Sequence, residues 1–282
     1  MYITFDIGGT KMRVGASVDL KSFICDPKII PTPREFDEGI NTLETIVLNM
    51  TKGAKVKAVA GGIAGIMNEE KTELSYSPNR KLRGWEKRPL KGELAKRLGC
   101  NVDIANDTAV VGLGEAHRGA GIGYNIVTYI TVSTGVGGTR IVDGRIDRRI
   151  YGFEPGHQTI DIDNSVWEGS ASGQLEDLIS GGALEKRFGM KPYEIEDDDL
   201  WERQLPDLLA CGLANTIMHW SPDVVVLGGS MIIGKPAISI RSTKEALTKI
   251  LTMYQKLPEI KKAQCGDFGG LYGGLALIKQ RI

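Results

Sequence analysis

The spacing of apolar residues changes repeatedly along the chain, which predicts alternating strands and helices. Residues 2–7, YITFDI, predict a buried strand, and GGT turns the chain into a second strand, KMRVGASV. Apolar residues from Ile40 to Met50 then recur at helical spacing, and VKAVAGGIAG predicts a strand that ends in glycines. This succession indicates the α/β class.

The middle of the chain continues the alternation. KGELAKRLG predicts a short helix stopped by Gly99, NVDIAN a strand, and DTAVVGLGEAHRG a helix beginning at or just after Asp107. Further on, LPDLLACGLANTIMHW predicts a helix, PDVVVLGGSMI a strand that enters a glycine turn, and GGLYGGLALIKQ a closing helix. We therefore expect Asp107 at the carboxyl end of a strand.

The opening pattern occurs twice. ITFDIGGTKMRVG, from Ile3, and ITVSTGVGGTRIVDG, from Ile130, share a strand, a glycine turn with a threonine, a basic residue and a second strand. Such a repeat predicts two similarly built halves that face each other.

Charge and cysteine usage restrict the partners. The chain has 282 residues, with 35 Lys+Arg and 35 Asp+Glu, so no net charge attracts nucleic acid or an anionic membrane. No run of apolar residues is long enough to cross a membrane. The four cysteines stand far apart without a CxxC pair, which argues against disulfides and zinc. We expect a cytoplasmic protein with a small-molecule partner, and we interpret the charged runs 80–88 and 194–199 as solvated.

The two glycine turns are candidate phosphate sites, because glycine lets backbone N–H groups approach an anion. Each alone could be only a tight hairpin, and the GxxxxGK[ST] pattern of a P-loop is absent. Two copies favour a nucleotide whose phosphates lie between the halves. The candidate residues are Gly8, Gly9, Thr10, Lys11, Thr134, Gly135 and Gly137.

Two aspartates stand beside these turns. Asp6 could hold Mg²⁺, directly or through water, or it could only cap the turn. Asp107 could accept a proton from a substrate hydroxyl, or it could be an ordinary helix N-cap.

The turn at Gly229 and Ser230 could contact adenosine or only join a strand to a helix. His157, taken alone, is best interpreted as a histidine of the core.

Taken together, DIGGTK, AND, EPGH, GQLED, STGVGG and VVLGGS resemble the ROK family of sugar kinases, within the actin/hexokinase/Hsp70-like fold, over nearly the whole chain. The resemblance implies that Asp107 is the general base. It also implies sugar contacts from Gly65, Asn79, Asn106, Glu154, His157 and Glu176.

One departure from the family concerns zinc. In many relatives the histidine of the ExGH motif binds zinc with three cysteines, and the corresponding positions here are Trp167, Gly169 and Gln174. None supplies a thiolate, so we expect a zinc-free branch in which Trp167 packs beneath the loop. A second departure is Ser133, where relatives usually have glycine.

These observations predict two actin-like (ribonuclease H-like) domains with a cleft between them. We expect residues 1–108 in the first and 109–282 in the second, with the last helix, about 270–282, packed back on the first. The cofactors implied are ATP and Mg²⁺. Relatives suggest a homodimer, and because the first hairpin begins at residue 2, we expect no DNA-binding domain before it.

The resemblance implies transfer of the ATP γ-phosphoryl group to a hexose, at the 6-OH of glucose. Alternative substrates are N-acetylmannosamine, N-acetylglucosamine, mannose and fructose, and ADP or polyphosphate are alternative donors. An alternative of another class is a sugar-binding sensor without catalysis.

Overall fold

The computed structural model describes residues 1–78, 81–149, 152–170 and 172–281, so Asn79 lies outside the described residues. The strands in these ranges are β1 (Tyr2–Ile7), β2 (Lys11–Ser17), β3 (Lys28–Pro31), β4 (Ala58–Ile63), β5 (Ile66–Met67), β6 (Leu74–Tyr76), β7 (Asn101–Asn106), β8 (Ile126–Val132), β9 (Val136–Val142), β10 (Arg145–Ile146), β11 (Val224–Gly228) and β12 (Glu259–Lys262).

The α-helices alternate with these strands. They are α1 (Phe36–Thr51), α2 (Leu90–Leu98), α3 (Asp107–Arg118), α4 (Leu175–Ile179), α5 (Gly181–Phe188), α6 (Leu205–Trp220), α7 (Ser230–Ile233), α8 (Ile240–Ile250) and α9 (Gly269–Lys279). A π-helical segment, Leu200–Gln204, leads into α6, and Pro155–His157 forms a short 3₁₀ turn.

The chain divides into two compact units. Unit 1 contains Met1–Gly119, Arg148–Gly152 and Cys265–Ile282, and its main sheet has the order β3-β2-β1-β4-β7. Strands β1 and β2 are antiparallel, whereas β1, β4 and β7 run parallel. Helix α9 packs against α3 and against β1 and β4. All of α3 belongs to unit 1, whose first segment ends at Gly119.

The segment 81–88 contributes two buried side chains to the core of unit 1. Leu82 and Trp85 are buried within this charged run, and Trp85 Nε1 donates a hydrogen bond of 2.9 Å to the carbonyl oxygen of Pro33. The Trp85 ring meets Phe36, the first residue of α1, edge to face. The interpretation of this run as solvated was therefore wrong for Leu82 and Trp85, because both side chains are buried in the core of unit 1.

Unit 2 contains Ala120–Asp147 and Phe153–Gln264, and its sheet has the order β10-β9-β8-β11-β12. Strands β8 and β9 are antiparallel, whereas β8, β11 and β12 run parallel. Helix α6 packs against α8 and α4, and buried side chains of α6 join those of β11 in one core.

The two sheets thus have the same topology. In each, the first strand of an antiparallel hairpin pairs with a parallel strand, and that strand pairs with a second parallel strand. This plan accounts for the sequence repeat, since each copy forms the hairpin of its own sheet. The alternation of strands and helices confirms the predicted α/β class. Helix α8 and strand β12 had no prediction.

Candidate functional site

In unit 1, three parallel strands end together at one edge of the sheet. The register pairs Ile7 with Ile63, and Ile63 with Asn106, so the residues that follow β1, β4 and β7 lie side by side. The glycine turn after β1 and Asp107 after β7 therefore share the edge at which open α/β sheets bind ligands.

Asn106 is the N-cap of α3, and Asp107 is the first residue of the helix. The Asn106 side-chain oxygen accepts a hydrogen bond of 3.1 Å from the N–H of Ala109, and its Nδ2 donates one of 3.0 Å to the carbonyl oxygen of Gly65. The alternative that Asp107 caps the helix is thus wrong. A neighbour thus performs the capping, and the Asp107 carboxylate accepts a hydrogen bond of 2.8 Å from Thr108 N–H.

Protein atoms surround the Asp107 carboxyl although it keeps access to solvent. Burial raises the pKa of Asp107, and the hydrogen bonds from Thr108 oppose this rise. A carboxylate with a raised pKa at a strand end is suited to accept a proton from a hydroxyl group.

Asp6, on β1, is 8% exposed and pairs with Arg13 across the β1–β2 hairpin, with 3.2 Å between Arg13 Nη1 and Asp6 Oδ2. The other end of the guanidinium contacts Asp267 at 3.4 Å. Burial and the charge of Asp107 raise the pKa of Asp6 to about 7, against the lowering effect of Arg13. A side chain at Gly270 would come within 2.9 Å of the Asp6 carboxyl carbon, so glycine there leaves room for the carboxylate.

The first glycine turn is narrow and braced from the side. The N–H of Gly8 donates to the carbonyl oxygen of Lys11 at 3.0 Å, and Thr32 binds the turn through Thr32 Oγ1 to Gly8 O at 2.7 Å. Lys81 Nζ lies 3.2 Å from Thr10 Oγ1. Gly8 and Gly9 are partly exposed, and Thr10 and Lys11 are exposed, so the turn presents backbone and hydroxyl groups outward.

Gly65 lies at the bend between β4 and β5, with φ of 121°, a conformation that favours glycine. Its carbonyl oxygen is held by Asn106, as described above, so the structure brings Gly65 and Asn106 together.

In unit 2, the second glycine turn joins β8 to β9 through residues 133–135, while Gly137 lies in β9 opposite Thr131. The N–H groups of Gly181 and Gly182 donate to the carbonyl oxygens of Ser133 and Thr134, at 2.7 and 3.1 Å. The start of α5 therefore supports the turn from below and leaves Thr134 exposed.

Glu176, in the first turn of α4, contacts the same glycine turn. Its Oε2 accepts a hydrogen bond of 2.6 Å from the N–H of Val136, and a side chain at Gly135 would come within 2.5 Å of that oxygen. The structure thus brings Glu176 together with Gly135, a contact that the sequence did not predict.

Glu154 precedes the 3₁₀ turn Pro155–His157, His157 is its last residue, and both side chains are exposed. His157 Nδ1 lies 2.8 Å from Gln174 Oε1. Gln174 occupies one of the positions at which relatives have a cysteine, so a side-chain hydrogen bond joins the two ends of the loop here. His157 is exposed, so the interpretation as a core histidine was wrong.

The loop between His157 and Gln174 is stabilised by its own side chains. Buried Asp161 accepts hydrogen bonds from the N–H groups of Ser165 and Val166 at 3.0 and 3.1 Å. Trp167 is partly buried against the core of unit 2, with Lys186 Nζ 5.4 Å from its ring centre. Among the described residues, no group of three or more His, Cys, Asp or Glu is arranged to hold a metal ion.

The turn after β11 has a left-handed residue, Gly229, with φ of 88°. A side chain there would overlap the carbonyl oxygen of Val132, at the end of β8. Ser230 is exposed, and its Oγ lies 3.1 Å from Ser133 Oγ. The structure therefore places this turn beside the second glycine turn, within one unit.

Comparison with known proteins identifies the fold and the family. The fold is the actin-like α/β fold of ROK sugar kinases: a ROK hexokinase from Thermus thermophilus superposes with a TM-score of 0.83 at 25% identity, covering 99% of both chains. The ROK family model matches residues 2–281, and the chain belongs to the ROK family, as expected.

Sequence relatives in the family are named sugar kinases. An N-acetyl-D-glucosamine kinase of Escherichia coli O127:H6 (strain E2348/69 / EPEC) is 30% identical over 306 residues, which cover 98% of this chain and 99% of the relative. A glucokinase of Streptomyces coelicolor (strain ATCC BAA-471 / A3(2) / M145) is 32% identical over 184 residues, 64% of this chain and 57% of the relative. These matches support the expectation of a sugar phosphotransferase.

Two residues beside the candidate site went unnoticed in the sequence, Arg13 and Lys81. Arg13 follows the first glycine turn by a few positions and carried no motif, and Lys81 lies in a run interpreted as solvated. Separately, no helix among the described residues has both the length and the apolar character that a membrane span requires.

Proposed function

We propose that this protein transfers the γ-phosphoryl group of ATP to a hydroxyl group of a hexose, with the 6-OH of glucose as the proposed acceptor. The observation that carries the proposal is that Asn106, and not Asp107, caps helix α3. Asn106 caps α3 and binds Gly65, so the Asp107 carboxyl is not used as the helix cap and stands partly exposed at the strand end, where a substrate hydroxyl is proposed to meet it. Membership of the ROK family supports the reaction class.

Asp107 is proposed to act as general base. The acceptor hydroxyl gives its proton to the carboxylate while its oxygen attacks the γ-phosphorus, and the bond from that phosphorus to the bridging oxygen of ADP breaks. The raised pKa of Asp107, caused by burial, makes its carboxylate a stronger base than an exposed aspartate. Asp107 must be ionised at the start of each turnover.

The donor phosphates are proposed to use the two glycine turns. On unit 1, Gly9, Thr10 and Lys11 offer N–H, hydroxyl and ammonium donors, while the N–H of Gly8 closes the turn on the carbonyl oxygen of Lys11. On unit 2 the proposed residues are Thr134, Gly135 and Gly137. Gly229 and Ser230 are proposed to contact the adenosine. Such preorganised donors stabilise negative charge that develops on a transferring phosphoryl group.

Mg²⁺ fits the residues of unit 1, with Asp6 as the proposed ligand. Mg²⁺ is usually held by one or two carboxylates together with substrate phosphates and water, so one buried carboxylate beside a phosphate turn is sufficient. Asp6 is such a group, since it is 8% exposed and lies on the strand that enters the turn. When bound, the ion would neutralise charge on the donor phosphates.

Sugar recognition is proposed for Gly65, Asn79 and Asn106 of unit 1 and for Glu154, His157 and Glu176 of unit 2. Carboxylates accept hydrogen bonds from hydroxyl groups, whereas Asn and His both donate and accept, so this set suits a ring with many hydroxyls. Asn106 and Glu176 already bind the backbone at Gly65 and Val136, which fixes the orientation of both side chains.

A second candidate acceptor is an N-acetylhexosamine, and a specific observation favours it. The N-acetyl-D-glucosamine kinase relative matches 98% of this chain, whereas the glucokinase relative matches 64%. Other acceptors in this group are N-acetylmannosamine, mannose and fructose. A protein that binds sugar without phosphorylating it is the remaining alternative.

A coupled assay tests the proposal. Purified protein with ATP and Mg²⁺ is offered glucose, mannose, fructose, N-acetylglucosamine and N-acetylmannosamine, and ADP release is measured. We expect turnover on at least one sugar, with glucose giving the highest kcat/KM. A higher kcat/KM for an N-acetylhexosamine would move the assignment to that substrate, and no turnover on any sugar would favour the non-catalytic alternative.

A further inference from the structure

In unit 2, the side chains of His157 and Gln174 meet although 17 positions separate them in the chain. His157 Nδ1 lies 2.8 Å from Gln174 Oε1, a normal distance for a hydrogen bond. An amide oxygen carries lone pairs and no proton, so the proton of this hydrogen bond belongs to Nδ1. A neutral His157 ring therefore has its proton on Nδ1 and a lone pair on Nε2.

The backbone of His157 is held by the next residue, Gln158, whose side chain joins the 3₁₀ turn to helix α6. Gln158 Nε2 donates hydrogen bonds of 2.7 Å to the carbonyl oxygen of Pro155 and 3.2 Å to that of Gly212. Asn215 Nδ2 donates in turn to Gln158 Oε1 at 2.8 Å. Because the turn is anchored to α6, the main freedom left to His157 is rotation of its side chain.

The backbone of Gln174 is held in the same way, at the start of helix α4. Gln174 forms an antiparallel β-bridge with Thr159. The next residue, Leu175, is 1% exposed, and its N–H donates a hydrogen bond of 3.0 Å to the carbonyl oxygen of Gln158. The Gln174 amide therefore approaches the His157 ring from an anchored position, and their hydrogen bond fixes the rotation that the ring would otherwise keep.

The other ring nitrogen, His157 Nε2, is available to a ligand. The His157 side chain is exposed, and none of the residues that the structure describes forms a hydrogen bond with Nε2. A ring nitrogen with a lone pair accepts a hydrogen bond, and a sugar hydroxyl can supply the proton. A site with such a fixed acceptor discriminates against analogues that lack the hydroxyl, because its polar group is then left unpaired.

We propose that Gln174 is a positioning residue for the sugar site: it holds the His157 ring with Nδ1 protonated, so that Nε2 accepts a hydrogen bond from a sugar hydroxyl. Gln174 acts through His157 and does not itself contact the sugar. The proposal rests on the proposed function in one respect, since His157 is there proposed as a sugar contact.

The protonation of the ring is measured by ¹⁵N NMR on the purified protein without sugar, at about pH 8.5, above the ordinary titration range of histidine. The chain has 3 histidines, and the variant His157→Asn identifies the signals of His157. We expect wild type to carry the proton on Nδ1. Gln174→Leu, which removes the acceptor oxygen, should lose this preference, whereas Gln174→Glu keeps an acceptor oxygen and should keep Nδ1 protonated.

Sugar binding is measured on the same variants by calorimetric titration with glucose and with N-acetylglucosamine. For the sugar that wild type binds more tightly, Gln174→Leu should raise the Kd by about 3- to 10-fold, the scale of one hydrogen bond between neutral groups. Gln255→Leu, which removes an exposed glutamine elsewhere in unit 2, is the matched control and should match wild type in both measurements. Circular dichroism shows whether Gln174→Leu keeps its fold, and Gln174→Ala, which removes the same acceptor oxygen, replaces it if it does not.

A wild-type His157 ring with its proton on Nε2 would overturn the proposal, and so would an unchanged ring state or an unchanged sugar affinity in Gln174→Leu. The proposed function fails separately. If a sugar binds with an affinity that depends on Gln174 but is not phosphorylated with ATP, the role of Gln174 stands and the proposed reaction fails. If ATP supports sugar phosphorylation and Nε2 carries the proton, the proposed reaction stands and the role of Gln174 fails.

Discussion

Arg13 and Asp6 occupy directly paired positions on β2 and β1, and their side chains form an ion pair of 3.2 Å with only 16% and 11% of their surfaces exposed. Despite this ion pair, the pKa of Asp6 lies above its ordinary value. Burial and the nearby charge of Asp107 outweigh the guanidinium and raise the pKa of Asp6 to about 7. The strand that enters the first glycine turn therefore carries a carboxyl group that titrates near neutral pH.

The first prediction concerns stability. We expect Asp6→Asn to raise the free energy of unfolding at pH 8 by on the order of a few kcal/mol. The pKa of Asp6 is higher in the folded chain than the ordinary value of 3.8, so ionisation disfavours the folded state, and wild type loses stability as pH rises from about 4 to about 7. Arg13 keeps Asp267 as a partner in the variant.

Urea denaturation at pH 4, 6 and 8 measures this effect. The difference between Asp6→Asn and wild type should be small at pH 4 and largest at pH 8. A difference that is the same at all three values would show that Asp6 does not titrate with a raised pKa.

The second prediction concerns catalysis. Asp107→Asn should reduce kcat by about 10²–10⁴-fold, because an amide cannot take the proton of the acceptor hydroxyl, while sugar affinity is mostly kept. Asp103→Asn, on the strand β7 that leads to Asp107, is the matched control, and its carboxylate lies 3.5 Å from Arg281. Initial rates and sugar titrations on both variants give the comparison; turnover near wild type in Asp107→Asn would remove Asp107 from the role of base.

The third prediction separates the two hydrogen bonds of Asn106. Asn106→Ala loses the cap of α3 and should cost about 0.5–2 kcal/mol of unfolding free energy. Asn106→Asp keeps an oxygen for the N–H of Ala109 but cannot donate to Gly65, and it places a second negative charge beside Asp107. We therefore expect Asn106→Asp to be the more stable of the two variants and still to raise the KM for sugar.

Urea denaturation ranks the variants, and steady-state kinetics with varied sugar gives the KM. If Asn106→Asp has the wild-type KM, the hydrogen bond to Gly65 does not contribute to sugar binding.

The sequence predicted those features of the fold and site that local signals determine. Glycine turns between apolar strands marked both hairpins, and Asp107 was placed at a strand end because the helical spacing begins there. Asn106 as the cap was missed, since an Asn-Asp pair offers two side chains that can each cap a helix.

Contacts that span long stretches of chain were not predictable in this way. Lys81 meets Thr10 across 71 residues, and Arg13 meets Asp267 across 254. Trp85 lies among charged neighbours, so the run lacked an apolar pattern even though the ring is buried. The ring is held by Phe36 of α1 and by the carbonyl oxygen of Pro33, contacts that only the folded chain provides.

The last prediction concerns the loop between His157 and Gln174 in unit 2. Trp167 packs partly buried against the core of that unit, and Lys186 lies over its ring. We expect Trp167→Ala to lower the unfolding free energy by about 1–3 kcal/mol, less than for a fully buried tryptophan, and to weaken sugar binding because the loop carries His157. Trp167→Phe keeps an aromatic ring and should recover most of both losses. Thermal melting and sugar titration measure the two effects; if Trp167→Ala leaves melting temperature and sugar affinity unchanged, the loop is braced by Asp161 and its backbone hydrogen bonds rather than by Trp167.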